Sequence, residues 1–139
     1  RISGVSLKFE TGVVVASSAT ENEAALKEMI SQENADKIGE FSLTDRRHSR
    51  ITKFMATTLF DENMGGEYGN THIALGNAYK DTYPGDIAAV PEEQWADMGY
   101  NSCPKVHTDI ISTTNRTVTA TLSDGTRMII YQNGEFVMV

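Results

Sequence analysis

The spacing of apolar residues predicts a chain rich in β-strands. Two segments with strand character, 5–9 and 13–16, flank a turn that contains glycine, and together they predict a β-hairpin. The apolar residues that follow recur at helical spacing. Thr20 and Glu23 have the separation of a capping box, so a helix is predicted over 21–31.

The rest of the chain extends this pattern. The segment 51–60 fits either a strand or a short helix, and the segment 91–99 predicts one or two helical turns inside a long loop over 81–104. Further strands are predicted at 38–43, 71–75, 106–112, 117–122, 128–131 and 136–137. The prediction is an α+β fold in a single domain over 1–139, with a curved, mostly antiparallel sheet and one or two short helices.

Charge and composition narrow the class of protein. The chain has 12 basic and 19 acidic residues and a net charge of −7, so it lacks the basic surface that nucleic acids require. It contains neither an apolar run of 18 residues nor a leader-like start, so neither membrane insertion nor secretion is expected. The single cysteine, Cys103, favours a reducing, cytoplasmic location.

Two histidines provide the main candidate chemistry. His72 and His107 lie 35 positions apart, and Asp109 follows His107 by two residues. In a strand, residues i and i+2 project from the same face, so His107 and Asp109 would offer an imidazole and a carboxylate to a shared point. Zinc, cobalt and manganese accept such ligands. A simple hydrogen-bonded imidazole–carboxylate pair explains the spacing equally well.

Other polar residues have two interpretations each. Glu40 lies in an otherwise apolar strand, where it either points outward or needs a partner. Glu62 and Glu67 flank a glycine-rich loop and would ordinarily be solvated charges. Tyr79 would ordinarily be a packing residue.

Three other features give little support for a functional site. His48 lies among three arginines that disfavour a cation, and no local motif makes Cys103 a nucleophile. The glycine-rich segment 65–70 lacks the lysine and Ser/Thr of a P-loop, so it gives little support for phosphate binding.

The candidate residues together resemble a known family. The chain looks like the C-terminal part of the thermophilic-type dinuclear metalloaminopeptidases, the family of aminopeptidases T and S, over nearly its whole length. The segments that carry the resemblance are Ile38-Gly39-Glu40, Leu59-Phe60-Asp61-Glu62-Asn63, His72-Ile73-Ala74-Leu75-Gly76 with Tyr79, and His107-Thr108-Asp109.

The resemblance implies an enzyme that removes N-terminal residues from peptides by means of a water activated by two divalent ions (Zn, Co, Mn or Mg). It implies that Glu40 and Tyr79 are catalytic and that the metal ligands are Glu40, Glu62, His72, His107 and Asp109. A homodimer is also implied. The family uses a further glutamate from an upstream segment, so we expect an N-terminal part of the enzyme to be missing and these 139 residues to be inactive alone. An insertion over 64–70 leaves either Glu62 or Glu67 as the ligand.

Two other functions compete with this one. A mononuclear iron oxygenase also uses a His-x-Asp pair, but no histidine follows Asp109 to complete its triad. The stronger alternative is a non-catalytic, β-rich dimerisation or interaction domain in which the histidines only pack.

Overall fold

The computed structural model describes residues 2–137. It contains eight strands and three short α-helices, in the chain order β1 (Ser6–Glu10), β2 (Val13–Ser18), α1 (Glu23–Ile30), β3 (Ile38–Thr44), α2 (Thr58–Asp61), β4 (Asn70–Gly76), α3 (Gln94–Asp97), β5 (His107–Ser112), β6 (Thr117–Thr121), β7 (Arg127–Gln132) and β8 (Glu135–Phe136). Single 3-10 turns occupy Lys80–Thr82 and Ile87–Ala89. None of the helices in this part of the chain is long and apolar enough to cross a bilayer.

The strands form three small sheets with the orders β1-β2, β3-β4-β5 and β6-β7-β8. The pairs β1-β2, β6-β7 and β7-β8 are antiparallel. Thr11 and Gly12 both have positive φ, as a two-residue hairpin turn between right-twisted strands requires. The predicted α+β class, with mostly antiparallel pairing and short helices, is confirmed.

By its internal contacts the chain divides into two compact units, and the boundary falls inside β3, β4 and β5. The first unit contains Arg1–Phe41 and Ile73–Ile110, and the second contains Ser42–His72 and Ile111–Val139. The prediction of a single domain therefore stays a prediction.

The first unit has a small core in which Ala35, Cys103 and Val106 are buried and Met29 of α1 packs against them. The long segment before β5 is organised around Trp95, which is 2 % exposed. Tyr83 and Tyr100 meet its ring edge-to-face, at centroid distances of 5.3 and 5.0 Å. Because these aromatic contacts replace regular structure, a long connection becomes an ordered part of the unit.

The second unit is built on Tyr131 of β7, which is fully buried. Its hydroxyl lies 2.9 Å from the carbonyl oxygen of Thr44 and 3.1 Å from that of Tyr68. The buried carboxylate of Asp45 accepts hydrogen bonds from the Arg47 side chain and from the Phe136 backbone N–H. These bonds fasten the end of β3 to β7 and β8.

Two local predictions need correction. Helix α1 begins at Glu23 and ends at Ile30, two residues later and one residue earlier than predicted. The predicted capping box between Thr20 and Glu23 is wrong, because Asn22, and not Thr20, is the N-cap residue. The Thr20 hydroxyl donates to the carbonyl of Ser3 instead, and the Glu23 carboxylate accepts from the N–H of Ala19. The ambiguous segment 51–60 forms neither a strand nor a full helix, because only its last residues enter the single turn of α2.

Candidate metal centre

In the first unit, an imidazole lies between two carboxylates. His107 and Asp109 are two residues apart on β5 and Glu40 is on β3. His107 Nε2 lies 3.7 Å from Glu40 Oε2 and 3.8 Å from Asp109 Oδ1. Two ligands about 2.1 Å from one ion at a tetrahedral angle are about 3.4 Å apart, so the observed spacing suits donors that share an ion.

The other ring nitrogen of His107 fixes which tautomer is present. Nδ1 lies 2.7 Å from the backbone carbonyl oxygen of Asn77. Because a carbonyl oxygen can only accept, Nδ1 carries the hydrogen, and in a neutral ring the lone pair is therefore on Nε2. A metal-binding histidine is commonly oriented in this way, by donating its second N–H to a carbonyl.

Tyr79 lies beside this cluster. Its ring centroid is 4.3 Å from that of His107, at an interplanar angle of 37°, and the side chain is 51 % exposed. The ring therefore covers one face of the imidazole and also meets solvent, where a substrate can reach it.

In the second unit, His72 lies beside Glu62. His72 is 3 % exposed, and its Nδ1 lies 2.8 Å from the backbone carbonyl oxygen of Glu62. Here too Nδ1 must be the donor. A carboxylate oxygen of Glu62 and a ring nitrogen of His72 lie within 4.8 Å of each other, so this pair also offers one carboxylate and one imidazole.

Local hydrogen bonds hold Glu62 in place. Glu62 is the residue at which α2 ends. The Asn70 side chain donates to the carbonyl of Asp61 at 3.0 Å, and the Asn63 side chain donates to that of Leu59 at 3.1 Å. Both amides fasten main-chain carbonyls of α2 and so fix the direction in which the chain leaves the helix.

Glu67, the alternative ligand, is in a different environment. Its side chain is exposed on the glycine-rich loop. Its carboxylate forms a hydrogen bond with the Tyr68 hydroxyl, and this bond raises the pKa of Tyr68 above its usual value. Glu62 is therefore the better-placed candidate.

The structure gives no reason to add His48 or Cys103 to the candidate site. His48 is exposed and lies outside both clusters, and Cys103 is buried, 1 % exposed, in the core of the first unit. Sequence reasoning missed Asn77, whose contribution is a main-chain carbonyl, and Asn101, which contacts the same turn from 24 residues further along the chain. In the sequence, Gly76 directly before Asn77 indicates a turn there, but nothing local points to Asn101.

Carboxylates and neutral imidazoles are the ligands with which proteins hold catalytic divalent ions, so these side chains form a candidate divalent-metal site of the class that metalloenzymes use. The model of the family described as "Thermophilic metalloprotease (M29)" matches residues 1–136, and the chain belongs to this family. The resemblance seen in the sequence is thereby confirmed.

Individual relatives agree with this assignment. The chain is 32 % identical to aminopeptidase PepS of Streptococcus thermophilus and 31 % identical to aminopeptidase T of Thermus aquaticus, with 99 % of the chain covered in each case. The solved structure of wild-type AmpT from Thermus thermophilus matches with a TM-score of 0.79 at 28 % identity, over 99 % of the chain. The chain spans 32 % of the length of each of these three proteins.

Proposed function

We propose that this chain contributes the metal-binding site of a two-metal aminopeptidase that removes N-terminal residues from peptides. Family membership supports metal-dependent peptidase chemistry, and the similar proteins are named aminopeptidases. The observation that carries the proposal is the position of His107, whose Nε2 lies within 4 Å of two carboxylates while Nδ1 is held by a carbonyl.

The proposed ligand set contains all five predicted side chains. Each unit supplies a histidine whose Nδ1 is anchored on a main-chain carbonyl. An imidazole anchored in this way loses little freedom on binding, so it is preorganised as a ligand through Nε2. The proposed ligands are Glu40, Glu62, His72, His107 and Asp109.

Two divalent ions, when bound, supply a water of lowered pKa and polarise the scissile carbonyl. Glu40 is proposed to accept the proton of the attacking water and deliver it to the leaving amine. Tyr79 is proposed to donate a hydrogen bond to the developing oxyanion, since its exposed side chain lies against His107. The net negative charge of the chain suits a substrate with a free α-amino group, because that group is positively charged when protonated.

The identity of the ions, the homodimer, the cytoplasmic location and the inactivity of these 139 residues alone stay predictions. So does the expected partner, the upstream part of the enzyme that would complete the ligand set. A non-catalytic interaction domain would need neither a bound ion nor the carboxylates around His107.

The test is hydrolysis of an amino-acid p-nitroanilide by the full enzyme after chelation and re-addition of cobalt or zinc. We expect activity that depends on the added metal, a loss of at least about 100-fold in Asp109→Ala, and wild-type activity in Asp97→Ala, which removes an exposed aspartate of the same unit. Undiminished activity of Asp109→Ala, or turnover that is indifferent to chelation, would exclude the proposed site.

A further inference from the structure

The turn that follows β4 is held by main-chain hydrogen bonds on both sides. Gly76 has φ +94°, and its N–H donates to the carbonyl of Lys37 at 2.8 Å. The N–H of Asn77 donates to the carbonyl of Val106 at 2.7 Å. These bonds use the N–H groups of the turn and leave its carbonyl oxygens to other donors.

The side chain of Asn101 satisfies one of these carbonyls. Its Nδ2 donates to the carbonyl of Gly76 at 2.6 Å and to that of Asn34 at 2.8 Å. Because both partners are pure acceptors, the amide orientation is fixed, with the nitrogen toward the turn. The backbone carbonyl of Asn101 accepts from the N–H of Ala78 at 2.8 Å. Asn101 is therefore hydrogen-bonded to the turn at both neighbours of Asn77, Gly76 and Ala78.

The carbonyl of Asn77 is the one that holds His107. It accepts from His107 Nδ1 at 2.7 Å, and the Asn77 side chain in turn accepts from the backbone N–H of Cys103 at 3.2 Å. If the turn moves, this carbonyl moves with it, and Nδ1 loses the acceptor that keeps it protonated.

We infer that Asn101 is a positioning residue, which acts through the turn 76–78 to keep His107 in the tautomer with hydrogen on Nδ1 and the lone pair on Nε2. The consequence for metal binding rests on the proposed function, whereas the tautomer itself does not. Removing a group that orients a metal ligand through hydrogen bonds typically lowers metal affinity by about 10- to 100-fold.

The first measurement reads the tautomer without any metal. Long-range ¹H–¹⁵N correlation spectra of the histidine-labelled full chain distinguish protonated from bare ring nitrogens, and His107→Gln assigns the signal. We expect Nδ1–H in the wild type, a mixture of tautomers in Asn101→Ala, and the wild-type pattern in Asn34→Asp. That control removes the bond from the Asn34 side chain to the carbonyl of Ser102 and keeps both main-chain carbonyls to which the Asn101 side chain donates.

Asn101→Ser provides a second variant if the alanine variant does not fold, since its hydroxyl is too short to reach both carbonyls. An unchanged His107 tautomer in a folded Asn101 variant, or hydrogen on Nε2 in the wild type, would overturn the inference.

The second measurement is zinc affinity by competition with a chelating dye. We expect a loss of about 10- to 100-fold in the Asn101 variants and little change in Asn34→Asp. A shifted tautomer with unchanged zinc affinity would support the positioning role and contradict the proposed function of His107. An unshifted tautomer with weakened affinity would refute the positioning role.

Discussion

Substituting Gly39 by alanine tests how closely β3 approaches the turn 76–78, whose Asn77 carbonyl holds His107. A Cβ at this position would lie 2.7 Å from the carbonyl carbon of Asn77 and closer still to the carbonyl oxygens of Gly76 and Asn77. Ordinary contact begins at 3.4 Å and the two oxygens would lie 2.4 Å from the Cβ, so the turn must retreat by about 1.0 Å. All the atoms concerned belong to the main chain, and no side-chain rotation can relieve the clash.

We expect Gly39→Ala to lower the free energy of unfolding by about 1–3 kcal/mol, as overpacking in a tight site does. The displaced Asn77 carbonyl should also weaken its bond with His107 Nδ1, so zinc affinity should fall by about 10-fold or more. Urea unfolding measures the first effect, and a competitive zinc titration measures the second.

Gly12→Ala is the matched control. This glycine has φ +81° and no atom within 4 Å of the added Cβ, so alanine strains the backbone at a hairpin turn without touching the metal cluster. It should lose stability and keep its zinc affinity. If Gly39→Ala were as stable as the wild type and bound zinc equally well, the turn would not lie where the structure puts it, and it would not be what holds His107.

Three further predictions concern other parts of the chain. Tyr131→Phe should cost about 1–3 kcal/mol in urea unfolding, since it removes the hydroxyl of a buried side chain that donates to two main-chain carbonyls, and a cost below about 0.5 kcal/mol would contradict this. Hydrogen bonds from the Arg47 side chain hold the pKa of Asp45 below its usual value of about 4; this carboxylate therefore stabilises the fold at neutral pH, and its contribution is lost as the pH falls below about 4. Asp45→Asn should flatten the dependence of stability on pH in that acidic range, and an unchanged slope would rule the contribution out. Glu62→Gln should lower the bound metal per chain, measured by atomic absorption, more than Glu67→Gln, and the reverse order would transfer the ligand role to Glu67.

The sequence predicted most strands because alternation and turn residues are local signals. The hairpin of β1 and β2 follows from a glycine at the turn, and the pairing of His107 with Asp109 follows from the two-residue period of β5. The candidate ligands were found because imidazole and carboxylate groups are rare in apolar strands and because their order resembles a family.

What the sequence could not reveal depends on contacts between distant residues. The capping box failed because the Thr20 hydroxyl finds an acceptor 17 residues away, at Ser3, where an isolated bridge pairs Ser3 with Glu21. The role of Asn101 depends on a hydrogen bond to Gly76, 25 residues away, which no local pattern encodes. Such bonds exist only once the chain has folded.

The proposed two-metal site can be observed directly by anomalous diffraction at the cobalt edge from crystals of the full enzyme soaked in cobalt. We expect two peaks roughly 3.5–4 Å apart, bound by Glu40, Glu62, His72, His107 and Asp109. An enzyme that is active with cobalt but shows no peak beside His107 Nε2, or shows cobalt only at other residues, would rule out the proposed two-metal site.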